Sequence, residues 1–180
     1  MKPEDYIVRE TRVILNHPWV QVVVDTLEHH GARAPYFYLA SPIDTVATVA
    51  VTDEEQLVLT RQYRHPIRQV IYDLPAGRLN LGEDPAVGAA RELEEETGYH
   101  GESLLPLGKF TPFPGSLQVT AHLFFATGLV WRGQHLDEGE ELIVAHLPVA
   151  EVRDMILRGE CIDAALQLGV LLATQKGWLK

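Results

Sequence analysis

Apolar residues in the first part of the chain fall in short, extended runs, at Val8 to Leu15, Trp19 to Leu27 and Pro35 to Leu39. Asn16-His17-Pro18 and His29-His30-Gly31 interrupt them, a pattern that predicts three antiparallel strands. Ser41-Pro42 marks a boundary, because the residue before a proline is pushed out of helical geometry. Beyond it, Thr45 to Val51 and Gln56 to Tyr63 are rich in β-branched and apolar residues around the turn-like Thr52-Asp53-Glu54-Glu55, which predicts a hairpin in a buried sheet. Asp84-Pro85 supplies an N-cap and a first-turn proline, and Gly98 a stop, for one helix over 85–97. Strands follow at 108–110, 117–127 and 141–147, then helices at 150–157 and 163–174. Strands, a helix, strands and again helices read as an α/β fold, a mixed sheet sandwiched by helices.

Size adds that one core dominates: 180 residues suit one main domain with a small appendage. The division expected is an N-terminal β-domain over 1–41 and a larger domain over 42–180. No apolar run reaches the ~18 residues a spanning helix needs, and MKPEDYIVRE has no signal-peptide pattern, so a soluble, cytoplasmic protein without membrane contact is expected. Cys161 is the single cysteine, which excludes an internal disulfide and a cysteine-rich zinc site. Fifteen Lys and Arg against 25 Asp and Glu give a net charge of -10, which argues against gripping a nucleic acid polymer. The same acidity would repel a phosphorylated small molecule unless local arginines or bound cations invert the field.

Candidate chemistry lies on the 85–97 helix. At 100° per residue Glu92, Glu95 and Glu96 fall within a ~100° arc, expected opposite an Ala86/Ala90/Leu93 packing face. Like charges at these spacings destabilise a bare helix, and an oxygen-rich cluster suits Mg²⁺ or Mn²⁺. The plainer alternative is a solvated acidic face. Context decides between them: Gly77 to Tyr99 follows the pattern G-x5-E-x7-R-E-U-x-E-E-x-G-U, with U a bulky apolar or aromatic residue and all nine specified positions filled. This is the pattern of the Nudix box, and the chain resembles the Nudix hydrolases, whose members cleave nucleoside diphosphates linked to another moiety.

Physical roles can be assigned within the box. Gly77 allows a tight loop between strand and helix and leaves the Ala76 carbonyl free as an oxygen ligand. Arg91 can pair with Glu95 and Glu83 and so fix the carboxylates. Glu83 has the alternative of merely bonding the loop, and Glu94, turned away, of being solvated. The resemblance implies that Glu92 and Glu96 are the main metal ligands, that Glu95 is a further ligand or a base, and that two or more Mg²⁺ or Mn²⁺ ions bind per site.

Arg61-Gln62-Tyr63-Arg64, Leu74-Pro75-Ala76-Gly77 and Pro114-Gly115 are similar to the ADP-ribose pyrophosphatase branch of that family, over about residues 5–175. The branch implies a Nudix-type α/β/α sandwich preceded by a small N-terminal antiparallel β-domain, and a homodimer formed through it. It implies ADP-ribose as substrate, cut to AMP and ribose 5-phosphate, with GDP-mannose or another nucleotide sugar, or an oxidised nucleotide, as alternatives. A nucleotide-sugar sensor is the non-enzymatic alternative. Arg61, Arg64 and Pro114 are the candidate substrate contacts. Many relatives carry glutamate where Asp73 stands and an acidic residue near Gln118. Trp19, Tyr36 and Phe37 are expected in the core, with stacking on a base as the alternative; His29-His30 are assigned to no metal site and Ser116 to no catalytic triad. The 135–142 segment, a glycine amid acids, predicts a mobile loop. Members of the branch place a catalytic glutamate in the matching loop, which favours Glu140, with Glu138, Glu141 and the helical Glu95 as alternatives.

Overall fold

The computed structural model describes residues 2–41 and 43–179. The chain forms two compact units, one of Met1–Asp44 with Thr111–Thr120, the other of Thr45–Phe110 with Ala121–Lys180.

In the first unit β1 (Tyr6–His17), β2 (Val20–His29) and β3 (Ala32–Ala40) form an antiparallel meander, as their apolar runs predict. His30 and Gly31, both with positive φ, close the β2–β3 hairpin, the geometry that suits a two-residue turn to twisted strands. A two-residue strand, β9 (Leu117–Gln118), adds to β3 in parallel. All twelve residues of β1 are exposed. Trp19, 71% exposed, and Phe37, 59% exposed, are not core residues; strand patterning predicts a face, and here that face meets no second layer within the unit.

The second unit is built on a sheet of order β11-β5-β4-β10-β8, comprising β4 (Thr45–Val51), β5 (Gln56–Arg64), β8 (Tyr99–Phe110), β10 (Ala121–Trp131) and β11 (Leu142–Pro148). Two short strands join it: β6 (Gln69–Asp73) pairs with β5, and β7 (Ala76–Arg78) with β4. Because strand side chains alternate, each central strand feeds two cores. Ala47, Val49, Leu57, Leu59, Leu123 and Phe125 pack with α2 (Val149–Leu157) and α3 (Ala164–Gln175). Ala50, Val58 and Ala126 pack with Leu93 of α1 (Pro85–Thr97). Helices thus cover both faces, the α/β/α sandwich. Each fully enclosed Leu or Val in these layers contributes roughly 1.5–3 kcal/mol of burial. Among the described residues no helix is long and apolar enough to cross a membrane.

Helix α1 has the predicted bounds. The Asp84 carboxylate accepts from Ala86 N at 2.8 Å, Pro85 follows, and Gly98 closes the helix with φ 77° and its N–H donating to Glu94 O at 2.8 Å. Its buried face is Gly88, Ala89, Leu93, Glu96 and Thr97. The predicted packing face is therefore rotated, and Glu96 lies within the buried side instead of opposite it.

Candidate active site

Arg91 organises the glutamates of α1. Its Nε and Nη2 each donate to one oxygen of Glu83, both at 3.0 Å, while Nη1 donates to Glu92 Oε1 and Glu95 Oε2, both at 2.8 Å. Nη2 also donates to the Arg78 carbonyl at 3.0 Å. Such planar, charge-assisted bonding fixes carboxylate orientation. Glu83, with a further bond from Asn80 N at 2.7 Å, is held down at about 2 by Arg91 and then by the Asn80 N–H. It joins the 79–84 loop to the helix as well as bonding that loop. Glu94 is not simply solvated: it meets His100 Nδ1 at 3.0 Å and Arg132 Nη1 at 3.5 Å.

Glu96 is 3% exposed and accepts a bond from Ala76 N at 2.8 Å. Burial pushes its carboxyl up to about 8; the Ala76 N–H opposes this, and the charges of Glu140 and Glu92 add to it. Glu92 is raised by burial too, against the pull of Arg91. Two half-paired, desolvated carboxylates therefore sit side by side. Among the described residues no three His, Cys, Asp or Glu side chains already converge as a metal cage; Glu92 and Glu95 face Arg91, and Glu96 faces Ala76.

Gly77 lies inside β7, where the expectation of a tight loop does not hold. Its necessity is spatial: a Cβ there would stand 2.1 Å from Glu92 Cδ and 2.2 Å from both carboxylate oxygens. The absent side chain is what lets Glu92 lie against the strand. Gly98 combines the left-handed conformation with crowding, since its Cβ would come within 2.9 Å of Gln134 N and Trp131 Nε1.

Arg61 and Arg64, three apart on β5, face opposite sides of the sheet. Arg64 Nε donates to Asp73 Oδ2 at 2.6 Å, and its charge reaches Glu96. Arg61 is exposed, with its guanidinium 5.9 Å from the Tyr72 ring centre. Asp73 is a buried residue that the sequence marked only as a departure from relatives. Burial raises it to about 6 despite Arg64, with Asp163 adding to the rise, and its Oδ1 has no hydrogen-bond partner among the described residues.

Glu140 closes a turn whose N–H donates to Asp137 O at 3.0 Å, with Gly139 at φ 85° inside it. Its charge acts on both Glu92 and Glu96 and raises each carboxyl. Glu138 and Glu141 are exposed. Pro114 lies in the other unit, lining with Asp25, Tyr36, Asp44 and Gln118 a cavity of about 630 Å³. Ser116 lines the same cavity. His29 stacks on Tyr6 at 4.2 Å between ring centres.

A family model of the NUDIX domain matches residues 42–163. The chain is 34% identical over 163 residues to a methanol dehydrogenase activator of Bacillus methanolicus, a match covering 89% of this chain and 88% of that protein. It is 32% identical over 166 residues to an ADP-ribose pyrophosphatase of Bacillus subtilis, covering 87% and 90% of the two. A crystal structure of an ADP compounds hydrolase superimposes with a TM-score of 0.87 over 97% of this chain and 96% of that one; at 22% identity this establishes the fold.

Proposed function

Because the chain belongs to the Nudix hydrolase family, we propose that its substrate is ADP-ribose and its products AMP and ribose 5-phosphate, released by a divalent-metal-dependent cytoplasmic enzyme. The observation that carries this reading is the half-buried Glu92 and the buried Glu96 on one helix, beside an arginine that orients Glu92, Glu95 and Glu83. Similarity to ADP-ribose pyrophosphatases from two bacteria, at 32% and 33% identity, supports the substrate.

The residues present fit a divalent cation. The donors are all oxygen, as hard ions prefer, and the Glu92 and Glu96 carboxyls, raised first by burial and then by neighbouring glutamate charge, would be favoured in their ionised form by a cation. Glu92, Glu95, Glu96 and the Ala76 carbonyl would hold two or more Mg²⁺ or Mn²⁺ ions, which supply charge for the diphosphate and acidify water when bound. Arg91 keeps Glu92 and Glu95 in place, and Arg64, steadied by Asp73, meets a phosphate oxygen; Arg61, on the opposite face, is the weaker candidate. Pro114 is kept as a candidate substrate contact on the cavity that it lines within the N-terminal unit. Water attacks one phosphorus, forming a P–O bond as the bridging P–O bond breaks, and Glu140 takes the water's proton.

The 1–41 segment serves as a dimerisation domain, and the enzyme is a homodimer. Support comes from exposed apolar residues of the β1–β3 meander, among them Ile14 and Phe37 on its strands and Trp19 in the turn between β1 and β2. A second reading, an accessory protein to a dehydrogenase, rests on the similarity to the methanol dehydrogenase activator. A substrate panel with Mg²⁺ or Mn²⁺ separates the possibilities. AMP from ADP-ribose at the highest kcat/KM supports the proposal. Preference for GDP-mannose or an oxidised triphosphate replaces the substrate, and binding without turnover supports a sensor.

A further inference from the structure

The C-terminal end of α1 is held from a distance. Its last carbonyls have no intrahelical partners, and such groups need donors from elsewhere. Arg132 N donates to Gly98 O at 2.7 Å and His135 N to Glu95 O at 2.9 Å. Between them the Gln134 side-chain amide donates to Glu96 O at 2.7 Å. Residues 132–135 therefore form a strap across the end of the helix, in contact with the backbone of Glu95 and Glu96, while the carboxylates of those residues point into the site. Gly98 admits the strap, because any side chain there would strike Gln134 N.

The strap leads directly into the 136–141 loop. At the far end of that loop Leu142 is buried and pairs with Gln62 on β5. The loop is thus pinned at one end by the catalytic helix and at the other by the sheet, with Glu140 two residues from the sheet anchor. Backbone N–H groups make most of the first anchor. Two side chains add to it, the Arg132 guanidinium 3.5 Å from the Glu94 carboxylate and the Gln134 amide; Gln134 is the one that bonds the backbone of Glu96, and substitution can remove that bond without breaking the chain path.

We propose that Gln134 is a positioning residue: by donating to the Glu96 carbonyl it sets the loop that carries Glu140 against the glutamates of α1. This rests on the assignment of Glu140 as the base, but its first consequence can be read without that assignment.

The test uses the full chain with Gln134→Glu, which keeps the shape and loses the donor, and Gln134→Lys, which keeps a donor and suits a helix C-terminus. Amide hydrogen exchange over 136–141 should quicken in Gln134→Glu and return toward wild type in Gln134→Lys. With ADP-ribose and Mg²⁺, kcat should fall ~10-fold in Gln134→Glu, in the range seen when an orienting partner is lost, with KM within about twofold. In a Glu140→Gln background the same substitution should cost little more, since no carboxylate is left to misplace. Unchanged loop exchange overturns the proposal, and so do losses that multiply independently across the two sites. A wild-type kcat in Glu140→Gln alone instead removes Glu140 as base, and the exchange measurement then still decides whether Gln134 holds the loop.

Discussion

In the larger unit Leu57, Leu59, Leu123 and Leu166 are fully enclosed, and one face of the sheet is covered by α1 while the other is covered by α2 and α3. Among the described residues of the N-terminal unit only Val23 and Val24 are buried apolar residues, while Ile14, Leu15, Trp19 and Phe37 are more than half exposed. The contrast teaches where each unit's stability must come from. The larger unit carries its glutamates, their orienting arginine and the strap on a sheet whose two faces are each covered by helices. The smaller one presents apolar strands of the kind that mark an interaction surface. Chemistry should therefore be breakable in one unit without loss of fold, and association in the other without loss of the glutamate array.

The largest effect is expected at Glu92 and Glu96. Glu92→Gln and Glu96→Gln should each lose several powers of ten in turnover while circular dichroism shows an intact fold, because a ligand charge disappears at nearly constant shape. Removing divalent ions with a chelator should abolish activity to the same extent. Wild-type rates in both variants would sink the metal assignment.

Gly77→Ala offers a sharper version. The new methyl meets the tip of a flexible side chain, so Glu92 moves while the strand stays. Activity on ADP-ribose should drop ~10²-fold, as for displaced ligands and their supports, with the melting temperature nearly unchanged. A large drop in melting temperature would show that the strand, and not the carboxylate, gives way.

Glu140→Gln should lower kcat by ~10²-fold with KM little altered, the usual contribution of a general base. Near-normal kcat there, together with collapse in Glu95→Gln, would move the base onto the helix.

For the smaller unit, combining Ile14→Asp with Phe37→Asp should shift the sedimenting species from twice the 20.1 kDa chain mass to the single chain. A wild type that already sediments as a single chain at micromolar concentration removes the dimer.

The smallest effect concerns Asp73. Its folded-state pKa, about 6, lies above the ordinary 3.8, so the native state binds the proton more tightly. Its contribution to stability therefore declines as pH rises from about 4 through about 6, by an amount on the order of 2–3 kcal/mol. Denaturant titrations across that window should show a flatter dependence in Asp73→Asn. An unchanged slope would assign it to other groups.

Local signals were legible and distant ones were not. Asp84, Pro85 and Gly98 mark both ends of α1 because capping is decided by adjacent residues. The short β6 and β7 flank Leu74-Pro75 and lack the length for a periodic pattern, so the sequence shows no strand there. β8 begins at Tyr99, well before the predicted start at Gly108, because Gly101 and Pro106 interrupt its pattern. The predicted 117–127 strand is two strands in different units, β9 and β10, and no propensity marks the change. Within the site, the Nudix pattern located Arg91 and its glutamates, whereas the burial of Glu96 depends on the exact rotation of α1 against the sheet. Gln134 carries no motif at all; only the path of the chain after β10 brings it to the helix end.

The parallel pairing of Leu39 with Leu117 spans 117 − 39 = 78 residues of chain. During synthesis β1, β2 and β3 leave the ribosome first, and β9 follows only after most of the larger unit's sheet strands and all of α1. At ~5–20 residues per second the β3 edge waits roughly 4–16 s for its last neighbour. Through that interval a row of unpaired backbone groups and several exposed apolar side chains are available to any other nascent chain. The same pairing means that cutting the gene after Asp44 would not yield two self-sufficient pieces, since Thr111–Thr120 would be left without the strand it was built to meet.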